Sequence, residues 1–175
     1  MENINILDIF KNKRYRDIAI DLSRKYKKNS PFPHIAIDNF LPKKIAVKLS
    51  KEYARPNYKN KRWKYHYNDN VKRYLLEDID DFSKSLKLFA YAINGRSFLS
   101  FLETITSNEH LIPDPYFMGG GAMATGKGGF LKMHIDYNYH HKLQAWRRVN
   151  ALFYLNQNWK KKWGGNLILK DKKKE

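Results

Sequence analysis

The chain changes character at Pro113 and Pro115. Before these prolines, apolar residues recur at helical spacing. FSKSLKLFAYAI (82–93) carries Phe82, Leu86, Phe89, Ala90 and Ile93, and SFLSFLETIT (97–106) carries Phe98, Phe101, Leu102 and Ile105. Stripes at this spacing are core-facing helix surfaces. From Gly119 onward the helical period is gone. GFLKMHID and RVNALFYLN alternate apolar with polar residues, and GNLILKD closes the chain, a set of strand signals. Helices followed by strands predict an α+β fold, with helices packed on one face of a mostly antiparallel sheet.

The first third of the chain adds three elements. Residues 4–27 predict a helix, with Ile6, Ile9, Phe10, Ile18, Ile20 and Leu22 in an imperfect stripe, ended by Asn29-Ser30-Pro31. PFPHIAIDNF then alternates Ile35 and Ile37 with His34, Ala36 and Asp38, a short strand pattern. Pro42 opens a second helix, PKKIAVKLSKEYA, which Pro56 closes. Residues 57–72 predict a loop with short strands, and Asn94-Gly95 separates the two later helices. A chain of 175 residues suffices for one domain with a real core. The division expected is an N-terminal helical segment, 1–30, leading into a single domain, 31–175.

Cysteine is absent, which excludes disulfides, thiolate zinc sites and thiol chemistry. A metal ion bound here must use His, Asp, Glu or backbone oxygen. No apolar run approaches the roughly 20 residues of a membrane span, and MENINILDIFKNKR lacks the basic-then-apolar layout of a secretion signal. A cytoplasmic protein without membrane association is expected. The formal charge of +17 is compatible with a nucleic-acid surface. Its lysines, however, are spread over KNKRYR, RKYKK, YKNKRWK, WKKKW and KDKKK rather than along one stripe. Enrichment in Lys, Asn, Ile and Tyr, all with A/T-rich codons, accounts for the charge without a partner.

The stretch GGFLKMHIDYNYHH, residues 128–141, holds three of the six histidines. His134 and Asp136 are two residues apart, so a strand points both to one side and Ile135 to the other. An imidazole beside a carboxylate is part of the facial triad of non-haem iron(II), two histidines and one carboxylate with coordination positions left open. By itself His-x-Asp is a weak pattern, most often a solvated surface pair. On RVNALFYLN, Asn150, Leu152, Tyr154 and Asn156 share one face.

The ordered series PDPYFMGGG, GGFLKMHID and RRVNALFYLNQNWKKKWGGNL resembles the iron(II)/2-oxoglutarate dioxygenases of prolyl 4-hydroxylase type, and PFPHIAIDNFLP resembles the opening segment of many bacterial members. The likeness covers about residues 31–171 and is most specific from Pro113 onward. In that family two ligands sit in His-x-Asp on one strand. The next core strand carries Arg-x-x-x-x-x-Tyr-Leu-Asn, followed by Trp and Gly-Gly. The resemblance implies helices packed on an incomplete double-stranded β-helix of jelly-roll, cupin-like form. It implies iron(II) on His134 and Asp136, with 2-oxoglutarate and O2 as cosubstrates and ascorbate as reductant. Tyr154 matches a tyrosine that helps hold the far carboxylate of 2-oxoglutarate, or else is a packed barrel tyrosine. Asn150 bonds the cosubstrate or a neighbouring group. Arg147 and Arg148 are left outside the site, as structural residues of their strand. His140 and His141 are expected in a polar loop near the substrate mouth, and His34, His66 and His110 have no partner pattern.

The family's distal histidine and its 2-oxoglutarate-pairing basic residue lie on strands later than any here, so the resemblance implies a C-terminally truncated chain, weak in iron binding and inactive alone. The first explanation is a fragment of a longer reading frame, in line with the A-rich codons of KDKKKE. A split protein whose C-terminal segment is on another chain, or a degenerate relative, are the others. An enzyme of this kind couples oxidative decarboxylation of 2-oxoglutarate to hydroxylation of a C–H bond on a protein side chain or small molecule, and the pattern leaves the substrate open. The alternative function is a non-catalytic basic module that binds nucleic acid. The runs Gly119-Gly120-Gly121 and Gly126-x-Gly128-Gly129 are expected as turns or bulges, since no helix follows to receive a phosphate. Trp159 to Trp163 is expected to form a hairpin connection.

Overall fold

The computed structural model describes residues 5–53 and 63–171. Four α-helices form one layer: α1 (Lys13–Lys28), α2 (Lys43–Glu52), α3 (Lys84–Asn94) and α4 (Arg96–Thr106). The helix expected over residues 4–27 is broken. A 3-10 turn, Ile6–Lys11, precedes α1, and Asn12 sits between them. The Asn12 side-chain oxygen accepts from the Arg14 N–H at 2.9 Å, capping α1 and stopping the helix from running through. Gly95 ends α3 and begins α4, as the Asn94-Gly95 pair predicts. The expected closure of α2 at Pro56 and the stretch 57–62 lie outside the described residues.

The principal core is helix on helix. Ile6, Ile9, Phe10, Tyr15, Ala19, Ile45, Leu49, Leu86, Phe89, Ala92, Phe98, Phe101 and Ile105 form one buried cluster. Helix α1 packs along α4, and the 3-10 turn wedges against α3. The rings of Phe10 and Phe98 lie 4.6 Å apart, and Phe40 reaches Phe101 at 5.1 Å. The expectation that these helices chiefly cover a sheet is therefore corrected. Their stripes are wide enough to satisfy one another, and only the partly buried Phe153 and Leu155 bring a C-terminal segment onto them. The segment expected as a strand at 34–39 is also not laddered. Ile35 and Ile37 pack on the core as their alternation predicts. Arg14 fixes the segment's far end by donating to the Asn39 and Phe40 carbonyls at 2.7 and 2.8 Å.

Beside the helices lies a four-stranded antiparallel sheet. β1 (Lys64–Asn68) pairs with one edge of β2 (Val71–Leu76); β3 (Ala122–Ala124) and β4 (Phe130–Leu131) share the other. Between β3 and β4 the chain detours through a turn closed by the Gly129 N–H on the Gly126 carbonyl at 2.9 Å. A Cβ on Gly129 would stand 2.8 Å from the Lys72 carbonyl oxygen, so only glycine lets the chain rejoin the sheet here. The glycine runs lie in turns, closed by the Gly120 N–H on the Phe117 carbonyl and the Gly129 N–H on the Gly126 carbonyl, with no helix directly after them. A two-stranded hairpin, β5 (Tyr139–His140) and β6 (Ala145–Trp146), follows.

The fold is mixed helix and sheet, as expected, but the sheet is not closed. Of GFLKMHID only Phe130–Leu131 is laddered, and no strand is formed between residues 147 and 171. Alternation sets which side chains are buried, whereas a ladder needs a neighbouring backbone to take up its N–H and C=O groups. None of the described residues supplies that neighbour to 148–156. Among the described residues no helix is long and apolar enough to cross a membrane.

Tyr53, just past α2, ties the helical layer to the sheet. Its hydroxyl donates to the Met123 carbonyl at 2.6 Å and accepts from the Met123 N–H. Burial pushes this phenol up to about 12, against the backbone hydrogen bond from Met123. Tyr53→Phe is expected to cost about 1–3 kcal/mol in urea unfolding, because both backbone groups of Met123 lose their partner. The raised value fixes the sign of the pH dependence. The wild-type advantage over Tyr53→Phe is full below about pH 10, the ordinary phenol range. It is lost as pH rises toward 12, so the two unfolding curves should converge there.

Candidate metal centre

Beyond β4 the chain bends at Met133, carries His134 and Asp136 on an unladdered segment, then turns back through the β5–β6 hairpin. The Arg147 N–H donates to the Asn138 carbonyl at 2.7 Å, carrying the hairpin one residue past its ladder. This return lays 147–150 beside 134–138.

His134 and Asp136 face one another on the same side. His134 Nε2 stands 3.0 Å from Asp136 Oδ1, and both side chains are 47% exposed. Ile135 points away and is 81% exposed. The other imidazole nitrogen, Nδ1, is 2.8 Å from the Lys132 carbonyl oxygen, an atom that can only accept, so Nδ1 carries a proton. In the neutral ring Nε2 then presents a lone pair to a carboxylate oxygen. The two atoms together offer a cation a nitrogen and an oxygen donor on one side of the chain. Bonds of about 2.1 Å meeting at a right angle would separate two donor atoms by about 3.0 Å. The pair is therefore spaced both as a hydrogen bond and as two ligands of one ion could be. An imidazole beside a carboxylate is a donor set shared by several divalent first-row metals, iron(II) among them.

The second carboxylate oxygen is also held. Asp136 Oδ2 accepts from Asn150 Nδ2 at 3.1 Å and lies 3.7 Å from Arg147 Nη1. Arg147 Nη2 donates to Asn150 Oδ1 at 3.2 Å, and its guanidinium lies over the Tyr137 ring, 4.8 Å from the centroid. Tyr137 in turn donates its hydroxyl to the Met118 carbonyl. Burial pushes the Tyr137 phenol up, and the Arg147 cation pulls the other way. Among the described residues no third His, Cys, Asp or Glu joins His134 and Asp136 to make a metal cluster.

The structure thus brings His134, Asp136 and Asn150 together and leaves Tyr154 apart. Phe153 and Leu155 pack on the helices, so Tyr154 faces away from them and is 64% exposed. It shares the Asn150 face but lies about 13 Å further along an extended chain. Arg147 is the member of the cluster that its sequence position did not suggest. The only signal was its place in the hairpin register, which no turn motif in YNYHHKLQAW declares.

The expected loop position of His140 is corrected. It lies in β5, only 4% exposed. Its Nδ1 accepts from the Leu143 N–H at 3.1 Å, so its Nε2 carries the proton and donates to Asp114 Oδ1 at 3.2 Å. Asp114 also accepts from the N–H groups of Tyr116 and Met118, which makes His140 a fastener of that loop. His141 is exposed in the hairpin turn, its ring 5.3 Å from Tyr139. Near the end of the chain, Trp159 donates from Nε1 to the Gly164 carbonyl at 2.9 Å around a 3-10 turn, Lys161–Trp163. The hairpin connection expected there is corrected: the residues form a 3-10 turn with no ladder on either side.

No curated protein and no solved structure matches the chain. The stretch that holds both facing groups and both tethers of the carboxylate does match: residues 120–175 fit the family model of the 2OG-Fe(II) oxygenase superfamily.

Proposed function

We propose that this chain carries the iron-binding strand of a 2-oxoglutarate-dependent dioxygenase of prolyl 4-hydroxylase type. His134 and Asp136 hold iron(II) as adjacent ligands. The observation that carries this reading is the 3.0 Å approach of His134 Nε2 to Asp136 Oδ1, with Nδ1 and Oδ2 each engaged elsewhere. Bound iron(II), with 2-oxoglutarate and O2, supplies the oxidising chemistry that hydroxylates a substrate C–H bond as 2-oxoglutarate is decarboxylated to succinate. The chain's own part is placement. The Lys132 carbonyl sets the imidazole tautomer, and Asn150 with Arg147 occupies Oδ2, so Oδ1 would be the oxygen left to hold a metal. On this reading the Asn150, Leu152 and Tyr154 face, which is unladdered and exposed here, would become the inner wall of a double-stranded β-helix once a further strand paired with it. Tyr154 offers its hydroxyl to the far carboxylate of 2-oxoglutarate.

Cobalt(II) titration of the purified chain tests this. The expected result is one equivalent bound, with a visible absorption band that shifts on adding 2-oxoglutarate. Uptake no tighter than that of the doubly substituted His134→Ala/Asp136→Ala chain would sink the reading.

A further inference from the structure

Arg147 lies outside the family pattern read from the sequence, yet its guanidinium meets Asp136, Asn150 and the Tyr137 ring together. We infer that Arg147 is a positioning residue for the metal site, acting on Asp136 through Asn150. This inference rests on the metal reading above and adds to it the group that decides which carboxylate oxygen is free to bind.

The amide of Asn150 is the relay. Its oxygen accepts from Arg147 Nη2 at 3.2 Å, and its nitrogen donates to Asp136 Oδ2 at 3.1 Å. An amide has one accepting and one donating end. With the ends exchanged, NH2 would face a guanidinium that can only donate, and oxygen would face a carboxylate that can only accept. Arg147 therefore fixes the amide orientation, and the amide fixes Oδ2. The Arg147 charge adds directly to this, since Nη1 lies 3.7 Å from Oδ2. With Oδ2 occupied, Oδ1 alone is presented beside His134 Nε2.

The guanidinium is itself fixed. Its carbon lies over Tyr137, 4.8 Å from the ring centroid. The Tyr137 hydroxyl is bonded to the Met118 carbonyl, and a Cβ on Gly119 would come within 2.7 Å of the Tyr137 ring. The Arg147 side chain is 22% exposed against 47% for Asp136, so the anchor is more sheltered than the group it holds. Lysine cannot reproduce the arrangement, because it lacks the planar fork that reaches two acceptors at once.

Cobalt(II) affinity and the ligand-field spectrum of the full chain test the inference, using wild type, His134→Ala, Arg147→Gln, Arg147→Lys, Asn150→Leu and the double variant Arg147→Gln/Asn150→Leu. Arg147→Gln should weaken affinity by about 10- to 100-fold, the range for removal of an outer partner. It should also alter the cobalt band, as Oδ2 becomes free to bind. Arg147→Lys should recover only part of the loss. The double variant should be no weaker than the poorer single variant, since both substitutions break one relay. Thermal unfolding of the metal-free proteins separates these effects from misfolding. Wild-type affinity and spectrum in a folded Arg147→Gln chain would overturn the positioning role and leave the metal reading standing. Equal, weak binding by wild type and His134→Ala would overturn the metal reading, and the role of Arg147 with it.

Discussion

His134→Ala should lower cobalt(II) affinity on the order of 100-fold or more, and Asp136→Ala should do the same. The described residues offer two side-chain ligands here, so either change leaves the ion with one. The Asp136 substitution also removes the negative charge that offsets desolvation of the cation. Asp136→Asn is the sharper variant. It preserves shape and loses the charge. Without metal its NH2 can donate to His134 Nε2 and its oxygen accept from Asn150, whereas with its oxygen on a metal its NH2 would be set donor against donor facing Asn150 Nδ2. Both ligands are about half exposed and stand outside the buried cluster. Circular dichroism and thermal unfolding of the metal-free variants should therefore match wild type. Metal titration reads the effect, with succinate release from 2-oxoglutarate as a second measure. Affinity within threefold of wild type for either alanine variant would exclude this pair as ligands.

The largest effect on stability is expected from Phe98→Ala, at about 3–5 kcal/mol. Phe98 is 3% exposed and its ring lies within 6.5 Å of Phe10, Phe40, Phe101 and Phe153. Removing it opens a cavity that four aromatic rings line and cannot all fill. Domains of this size are stable by only about 5–15 kcal/mol, so the loss takes a large share. Urea unfolding at neutral pH measures it. A change under about 1 kcal/mol would mean that the helical layer is not the main source of stability. Phe153 belongs to the segment that carries Asn150, so the same substitution should loosen the relay to Asp136.

What could be read directly from residues is what depends on near neighbours. The spacing of Phe98, Phe101 and Ile105 places α4 within a residue of its bounds, and the two-residue interval puts His134 and Asp136 on one side. Asn12 shows where such reading falters. A side chain that competes for backbone hydrogen bonds splits one apparent helix, and the imperfect stripe was its only trace. The C-terminal alternation was legible as burial, in Phe153 and Leu155 against Leu152 and Tyr154, but not as a ladder, because pairing needs a second backbone. Arg147 and His140 depend on distant partners. Asp114 is 26 positions from His140, and no local pattern encodes that meeting.

The hairpin between the two halves of the site gives its length variation an uneven tolerance. Residues 141–144 lie beyond the β5–β6 ladder, so a residue inserted at that tip should leave the register of both halves intact, at the expense of the Leu143 N–H bond to His140. The interval from Trp146 to Phe153 has no such latitude. Insertion of a single residue there would exchange the two sides of the segment, sending Phe153 outward and Tyr154 into the helices. The count across those eight positions is held at once by an oily contact at one end and a charged one at the other.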